Sequence, residues 1–148
     1  MHMPHSSLAL PCACTSLREA ARAVSRIYDD ALSETGLTTT QYSILRALAR
    51  NGDAPLSRLA DTLVMDRTSL YRTLAPMARH GWIDIQGTGH GRTKLACLTA
   101  TGREAMEKAT SQWEMAQARL VGALGPEAWA SLQASLNDVV AIATGPRK

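Results

Sequence analysis

The chain has 148 residues and carries 16 Lys and Arg against 13 Asp and Glu, which gives a formal net charge of +3. This length suits one domain with its own core. The sequence shows neither the run of roughly 20 apolar residues that a membrane span needs nor a signal-peptide pattern, so we expect a cytoplasmic protein without a membrane partner. Three cysteines without a Cys-x-x-Cys pair argue against a disulfide framework and against a bound metal.

Hydrophobic periodicity predicts a mainly α fold with one small β hairpin. We expect residues 1–15 to form a flexible arm. A first helix is predicted from Ser16, which forms a capping-box pattern with Glu19, to Gly36. A second helix opens at Thr38, where Gln41 completes the same pattern, and ends before Gly52.

A helix-turn-helix is predicted next, followed by a wing. The third helix covers 56–63, Val64 and Met65 form the turn, and Asp66 is the expected N-cap of the fourth helix. Two strands, 82–86 and 93–98, flank a glycine-rich loop. A long helix is predicted from Thr99 to about 124, and a last helix from Pro126 to about 143.

The fourth helix and the hairpin point to double-stranded DNA, because such folds place one helix in the major groove and a ribbon beside it. Residues 56–94 hold six basic and three acidic side chains, whereas the rest of the chain holds ten of each. All of the net positive charge therefore lies in this segment, as a phosphate-binding surface requires. The predicted DNA-contacting residues are Ser57, Arg67, Thr68, Ser69, Tyr71, Arg72, Arg92 and Lys94. We expect the side chains of the fourth helix to reach base edges or phosphates.

Apolar stripes on the first, fifth and sixth helices exceed what a small winged-helix core can cover. We expect segments 16–36 and 100–143 to form a homodimer, which sets two copies of the winged helix-turn-helix region 37–99 a fixed distance apart. A palindromic operator is the matching DNA. The alternative is that these helices fold back onto their own domain.

In this order and spacing, the motifs resemble those of the MarR family of winged-helix transcriptional regulators. The resemblance runs from about Ser16 to about 143 and rests on Leu37-Thr-Thr-Thr-Gln-Tyr-Ser-Ile-Leu45, Leu59-Ala-Asp-Thr-Leu63, Arg67-Thr-Ser-Leu-Tyr-Arg-Thr-Leu74, Arg79-His-Gly-Trp-Ile83 and Leu98-Thr-Ala-Thr-Gly102. It implies a dimer, most simply a repressor, that leaves its operator when a ligand or an oxidant moves the two DNA-binding regions. The family's wing carries Asp-x-Arg; here the positions are His90 and Arg92, so the acidic partner is missing.

Cys14 lies fourteen residues before Tyr28, a spacing similar to that of the organic-hydroperoxide-sensing branch of the family. The resemblance implies a reactive Cys14 at the start of the first helix, in contact with tyrosines of the partner subunit. A helix N-terminus and the nearby Arg18 are expected to lower the pKa of that thiol. The branch's second tyrosine is replaced by Thr39. Cys12 is a candidate resolving thiol, with bonds to the other subunit or to a small thiol easier than an intrachain bond.

Three alternatives stay open at this stage. A small aromatic or anionic effector could bind between the dimerisation helices and the winged helix, in place of oxidation by peroxide. A zinc-like cluster of His2, His5, Cys12 and Cys14 has irregular spacing. The whole unit could also be a winged-helix protein-interaction module without sequence-specific DNA binding, although Arg67 and Arg72 argue for DNA.

No enzyme and no cofactor are predicted. The sequence contains no nucleophile with a base, no metal-ligand spacing and no phosphate loop beyond Gly87-Thr-Gly-His-Gly91, which lacks the following helix that such a loop needs.

Overall fold

A computed structural model describes residues 10–89 and 91–145. These residues form six α-helices and three short strands: α1 (Ala13–Leu32), α2 (Thr39–Asn51), β1 (Ala54–Pro55), α3 (Leu56–Leu63), α4 (Arg67–Arg79), β2 (Ile83–Gly87), β3 (Lys94–Leu98), α5 (Ala100–Leu124) and α6 (Pro126–Thr144). The predicted fold class, mainly α with a small β wing in a winged helix-turn-helix, is confirmed.

The first helix starts earlier than the sequence analysis predicted. Helix α1 begins at Ala13, and Cys12 is its N-cap with an extended backbone. The amide of Ser16 donates to the carbonyl of Cys12 at 3.0 Å, so Ser16 lies inside the helix and is not its cap. Pro11 has no amide to donate, which suits the position just before an N-cap. The expected arm therefore loses its last three residues to α1, and residues 1–9 lie outside the described residues.

Local capping determines the borders of α2 as predicted. The hydroxyl of Thr38 accepts from the Gln41 amide, and the Gln41 side chain accepts from the Thr38 amide at 3.0 Å. The carboxylate of Asp29 on α1 adds a tertiary contact, accepting from the backbone amide of Thr39 at 2.8 Å and from its hydroxyl at 2.6 Å. Thr39, which stands where the organic-hydroperoxide-sensing branch has its second tyrosine, therefore ties α1 to the start of α2.

The sheet has three antiparallel strands in the order β1-β3-β2. Strands β2 and β3 pair along their length, from Ile83 opposite Leu98 to Gly87 opposite Lys94, and both start one residue later than predicted. Strand β1 was not predicted. It has two residues, and Ala54 pairs with Ala96, so its strand geometry comes from a partner more than forty positions away.

The core lies beneath the helix-turn-helix. Its largest fully buried side chains are Tyr42, Leu32, Ile44, Leu45, Leu70, Leu74 and Met77. Helix α5 crosses α1 and α2, and Ala109 and Ala116 let it pack closely. The rigid core holds α4 so that its opposite face is exposed.

Much of the apolar surface of the long helices is not covered by other residues that the structure describes. No residue of α6 among those described is buried. The exposed large apolar side chains on the long helices include Leu17, Met115, Leu124, Leu132, Val139, Val140 and Ile142. Among the described residues, no helix combines the length and the apolarity that crossing a bilayer requires.

Candidate nucleic-acid interface

An open groove separates α4 from the wing, and we call it the helix–wing groove. Its polar lining consists of Ser57, Arg67, Tyr71, Arg92, Thr93 and Lys94. Leu56, Leu74, Ala75 and Ile85 form its apolar base. The structure thus brings together five of the eight predicted DNA-contacting residues, from α3, α4 and the wing. Three positive charges line the same groove, which suits a polyanion.

Thr68 and Arg72 lie outside the lining of this groove although both are exposed on the same helix. Ser69 is half-buried, and its hydroxyl donates to the carboxylate of Asp66 at 2.6 Å. The Ser69 amide donates to the other oxygen of that carboxylate at 2.9 Å, which is the predicted N-cap contact. These bonds, and to a smaller extent the charge of Arg72, lower the pKa of Asp66.

The wing joins α5 through a close backbone contact. The hydroxyl of Thr99 donates to the Gly81 carbonyl at 2.5 Å and accepts from the Gly102 amide at 2.9 Å. The Thr99 amide donates to the carbonyl of Trp82 at 3.2 Å. The N-cap of α5 is therefore also the anchor of the wing. His90, the position of the missing acidic residue, lies outside the described residues.

The two cysteines before the first helix are both exposed. Hydrogen bonds from the backbone amide of Thr15, and then from its hydroxyl, lower the pKa of the Cys12 thiol. The favourable helix-terminal position expected for Cys14 is thus held by Cys12, because α1 starts at Ala13. Cys97 is the opposite case. It is buried in β3, and burial followed by the nearby Asp53 raises its pKa.

Tyr28 is not close to Cys14 within the chain. Fourteen residues of helix separate them by about 21 Å along the axis of α1. The Tyr28 ring is buried, which raises the pKa of its hydroxyl, and the hydroxyl donates to the side-chain oxygen of Gln117 on α5. A contact between Cys14 and this tyrosine would need a second subunit.

An aromatic cluster occupies the crevice between α1, α2 and α5. The Trp113 ring stacks on Tyr42 with centroids 5.8 Å apart and lies 6.5 Å from the ring of Tyr28. The guanidinium of Arg46 lies 4.1 Å from the Trp113 centroid, within cation–π distance. Sequence reasoning missed Arg46, because a single arginine on a helix usually indicates a solvated face.

The fold and the helix–wing groove define a winged-helix protein of the transcriptional-regulator class. A family model described as "MarR family" matches residues 35–92. The transcriptional regulator MosR of M. tuberculosis, solved in complex with DNA, is 34% identical and superposes with a TM-score of 0.83, covering 90% of this chain and 97% of that one. The chain belongs to the MarR family.

Two further solved structures are similar to this chain. MosR of M. tuberculosis in a second structure is 33% identical, with a TM-score of 0.79 and coverage of 90% of this chain and 96% of that one. A mutant of MarR from E. coli, complexed with operator DNA, is 20% identical with a TM-score of 0.75, covers 84% of this chain and 91% of that one, and shows the fold alone. A comparison with curated proteins gives no match.

Proposed function

We propose that the protein is a homodimeric repressor that binds a palindromic operator and is released when Cys12 is oxidised. The observation that carries the DNA-binding part is the helix–wing groove, where Arg67, Arg92 and Lys94 converge from two elements. MosR, a relative of similar length, has been solved with DNA. A gel shift with the DNA upstream of the chain's own gene tests this part, with unrelated DNA of equal length as the control.

The exposed apolar faces support a dimer. Leu132 and Val139 on α6 and Leu17 on α1 are between 38% and 41% exposed in the single chain. Burying such faces against a second copy releases about 25 cal/mol for each Å² of apolar surface removed from water. In this proposal α1, α5 and α6 form the dimer, and the segment from Leu37 to Thr99 binds DNA.

The chemistry of release begins at Cys12. In the cytoplasm its thiol is kept reduced, and its lowered pKa favours the thiolate. The thiolate sulfur attacks an organic hydroperoxide: an S–O bond forms, the O–O bond breaks, and the alkoxide leaves and takes a proton. The resulting sulfenic acid is attacked by the Cys14 thiol or by another thiol, which forms a disulfide and releases water.

A disulfide between Cys12 and Cys14 would change the start of α1. Cys12 is the N-cap of α1 and Cys14 lies in its first turn, so a disulfide that brings their Cβ atoms to about 4 Å is expected to unwind that turn. Unwinding breaks the bond from the Ser16 amide to the Cys12 carbonyl. The proposed dimer interface begins at this turn, and α1 reaches the DNA-binding region through the Asp29–Thr39 contact. Oxidation would therefore alter the spacing of the two α4 helices, which the operator half-sites require.

Oxidation is tested by operator binding before and after mild organic hydroperoxide. We expect wild-type protein to lose the operator and to recover it with a reducing agent, whereas Cys12→Ser binds the operator and does not respond. Cys97→Ser is the matched control and is expected to behave as wild type, because Cys97 is buried. If the wild-type protein stays on DNA while Cys12 is oxidised, release by oxidation is wrong.

If release by oxidation is wrong, a small aromatic or anionic effector is the second candidate for the signal that releases the protein from DNA. Arg46, Trp113 and Tyr42 supply the cation and the rings that such a molecule would contact. In the structure these three side chains already pack on one another, so an effector would first have to separate them. Oxidation at an exposed thiol needs no such separation, and this difference favours Cys12.

The pH dependence of alkylation provides a second test of Cys12. The rate of reaction with iodoacetamide follows the thiolate fraction, which rises as pH passes the pKa. In a variant that retains Cys12 alone, the lowered pKa moves this rise to lower pH than for an ordinary thiol. In a variant that retains Cys97 alone, the raised pKa moves it to higher pH. Equal profiles for the two variants would contradict the assignment of Cys12.

A further inference from the structure

We infer that Arg72 and Thr68 determine the DNA sequence preference, whereas Arg67 and Tyr71 hold a sugar–phosphate backbone. This inference rests on the proposed DNA binding and divides side chains that share one exposed helix surface.

The direction from the core separates the exposed side chains of α4 into two columns, one formed by Arg72 and Thr68 and the other by Arg67 and Tyr71. Leu70, Leu74 and Met77 are at most 1% exposed and mark the inward face. Each residue turns an α-helix by about 100°, so Arg72 lies about 200° and Thr68 about 160° around from Leu70. These two side chains point straight away from the core. Arg67 and Tyr71 lie only about 60° and 100° around, on the flank.

The helix–wing groove identifies what that flank faces. Arg67 and Tyr71 line it together with Arg92 and Lys94, whereas Arg72 and Thr68 do not. The flank of α4 therefore faces the wing, and the outermost column faces neither the wing nor the core. Arg72 lies in the second turn of α4, which begins at Arg67.

The architecture of B-DNA then assigns a role to each column. A helix in the major groove directs its outermost side chains at the base edges, mostly from its N-terminal turns. A wing beside that helix reaches past the edge of the major groove, which is a sugar–phosphate backbone. That backbone has to pass through the helix–wing groove. The three cations and the Tyr71 and Ser57 hydroxyls there are phosphate-binding groups.

Arg67 and Arg72 form a matched pair for the test, since they share residue type, helix, exposure and charge. Wild-type protein and the variants Arg67→Ala and Arg72→Ala are each used to select binding sites from a pool of random DNA. We expect Arg72→Ala to lose its preference at one base pair of each half-site, a loss of discrimination of roughly 5- to 150-fold there. Arg67→Ala is expected to select the wild-type motif.

Salt dependence gives the complementary readout. For Arg67→Ala, binding to selected and scrambled DNA is expected to weaken by the same factor, and the slope of log affinity against log salt falls by about two units per dimer. Arg72→Lys keeps the charge but replaces the planar guanidinium fork, which matches the two guanine acceptors, with a single ammonium group. Arg72→Lys is expected to keep the slope and to reduce the base preference, whereas Arg67→Lys keeps both. Unchanged thermal melting shows that each variant is folded.

The results of these experiments distinguish a failure of the residue assignment from a failure of the proposed operator binding. If wild-type protein selects no sequence, the proposed operator binding is wrong and the inference falls with it. If wild-type protein selects a motif but Arg67→Ala changes it, or Arg72→Ala retains it, the assignment of the two columns is overturned while DNA binding stands.

Discussion

Replacing Arg92 and Lys94 together with alanine is expected to lower the affinity for DNA on the order of a thousandfold near 0.1 M salt. Both side chains line the helix–wing groove and both are exposed, so their charges are available to phosphates. A dimer loses four such charges. Each phosphate contact contributes about 0.9 units to the salt slope, so the slope falls by roughly 3.6 units. Titration of selected and random DNA across a salt series measures both quantities.

The control is the double variant Arg103→Ala with Lys108→Ala, which removes the same two residue types from α5. Both side chains are exposed, and neither lines the groove. We expect its DNA affinity and salt slope to stay close to those of wild type. An equal loss in the control would show that total charge and not the wing drives binding, and an unchanged wing variant would place the wing away from DNA.

Gly102→Ala is expected to destabilise the fold by about 3 kcal/mol, because the added methyl group has no room. A Cβ at this position would lie 1.9 Å from the Trp82 carbonyl oxygen and 3.0 Å from Leu98 Cδ1. Relief requires the wing to move away from α5, and that also breaks the Thr99 contacts to Gly81 and Trp82. The melting temperature is expected to fall by roughly 6–12 °C.

Gly122→Ala is the control within the same helix. A Cβ there would meet nothing within 4 Å, so only helix propensity changes. Alanine is favoured over glycine inside a helix by up to about 1 kcal/mol, and this variant is expected to be as stable as wild type or slightly more stable. If both variants melt at the same temperature, the wing does not depend on its close approach to α5.

Elements defined by local signals were predictable from sequence. Asp66 caps α4, the Thr38–Gln41 capping box opens α2, and α3 covers the predicted residues. In each case the stabilising partner lies within a few positions along the chain, so the residue pattern contains the whole interaction. The family motifs, which combine such local signals in order, indicated the MarR family for the same reason.

The sequence by itself thus determined the order of helices, the two-strand hairpin of the wing and the segment that carries the excess positive charge. Only the tertiary structure decided that Ala54 pairs with Ala96, that Asp29 binds Thr39, and that Arg46 lies over Trp113. It also decided which side of α4 faces the wing. These contacts join residues far apart in the chain, and the core packing that brings them together leaves no periodic signal at either partner.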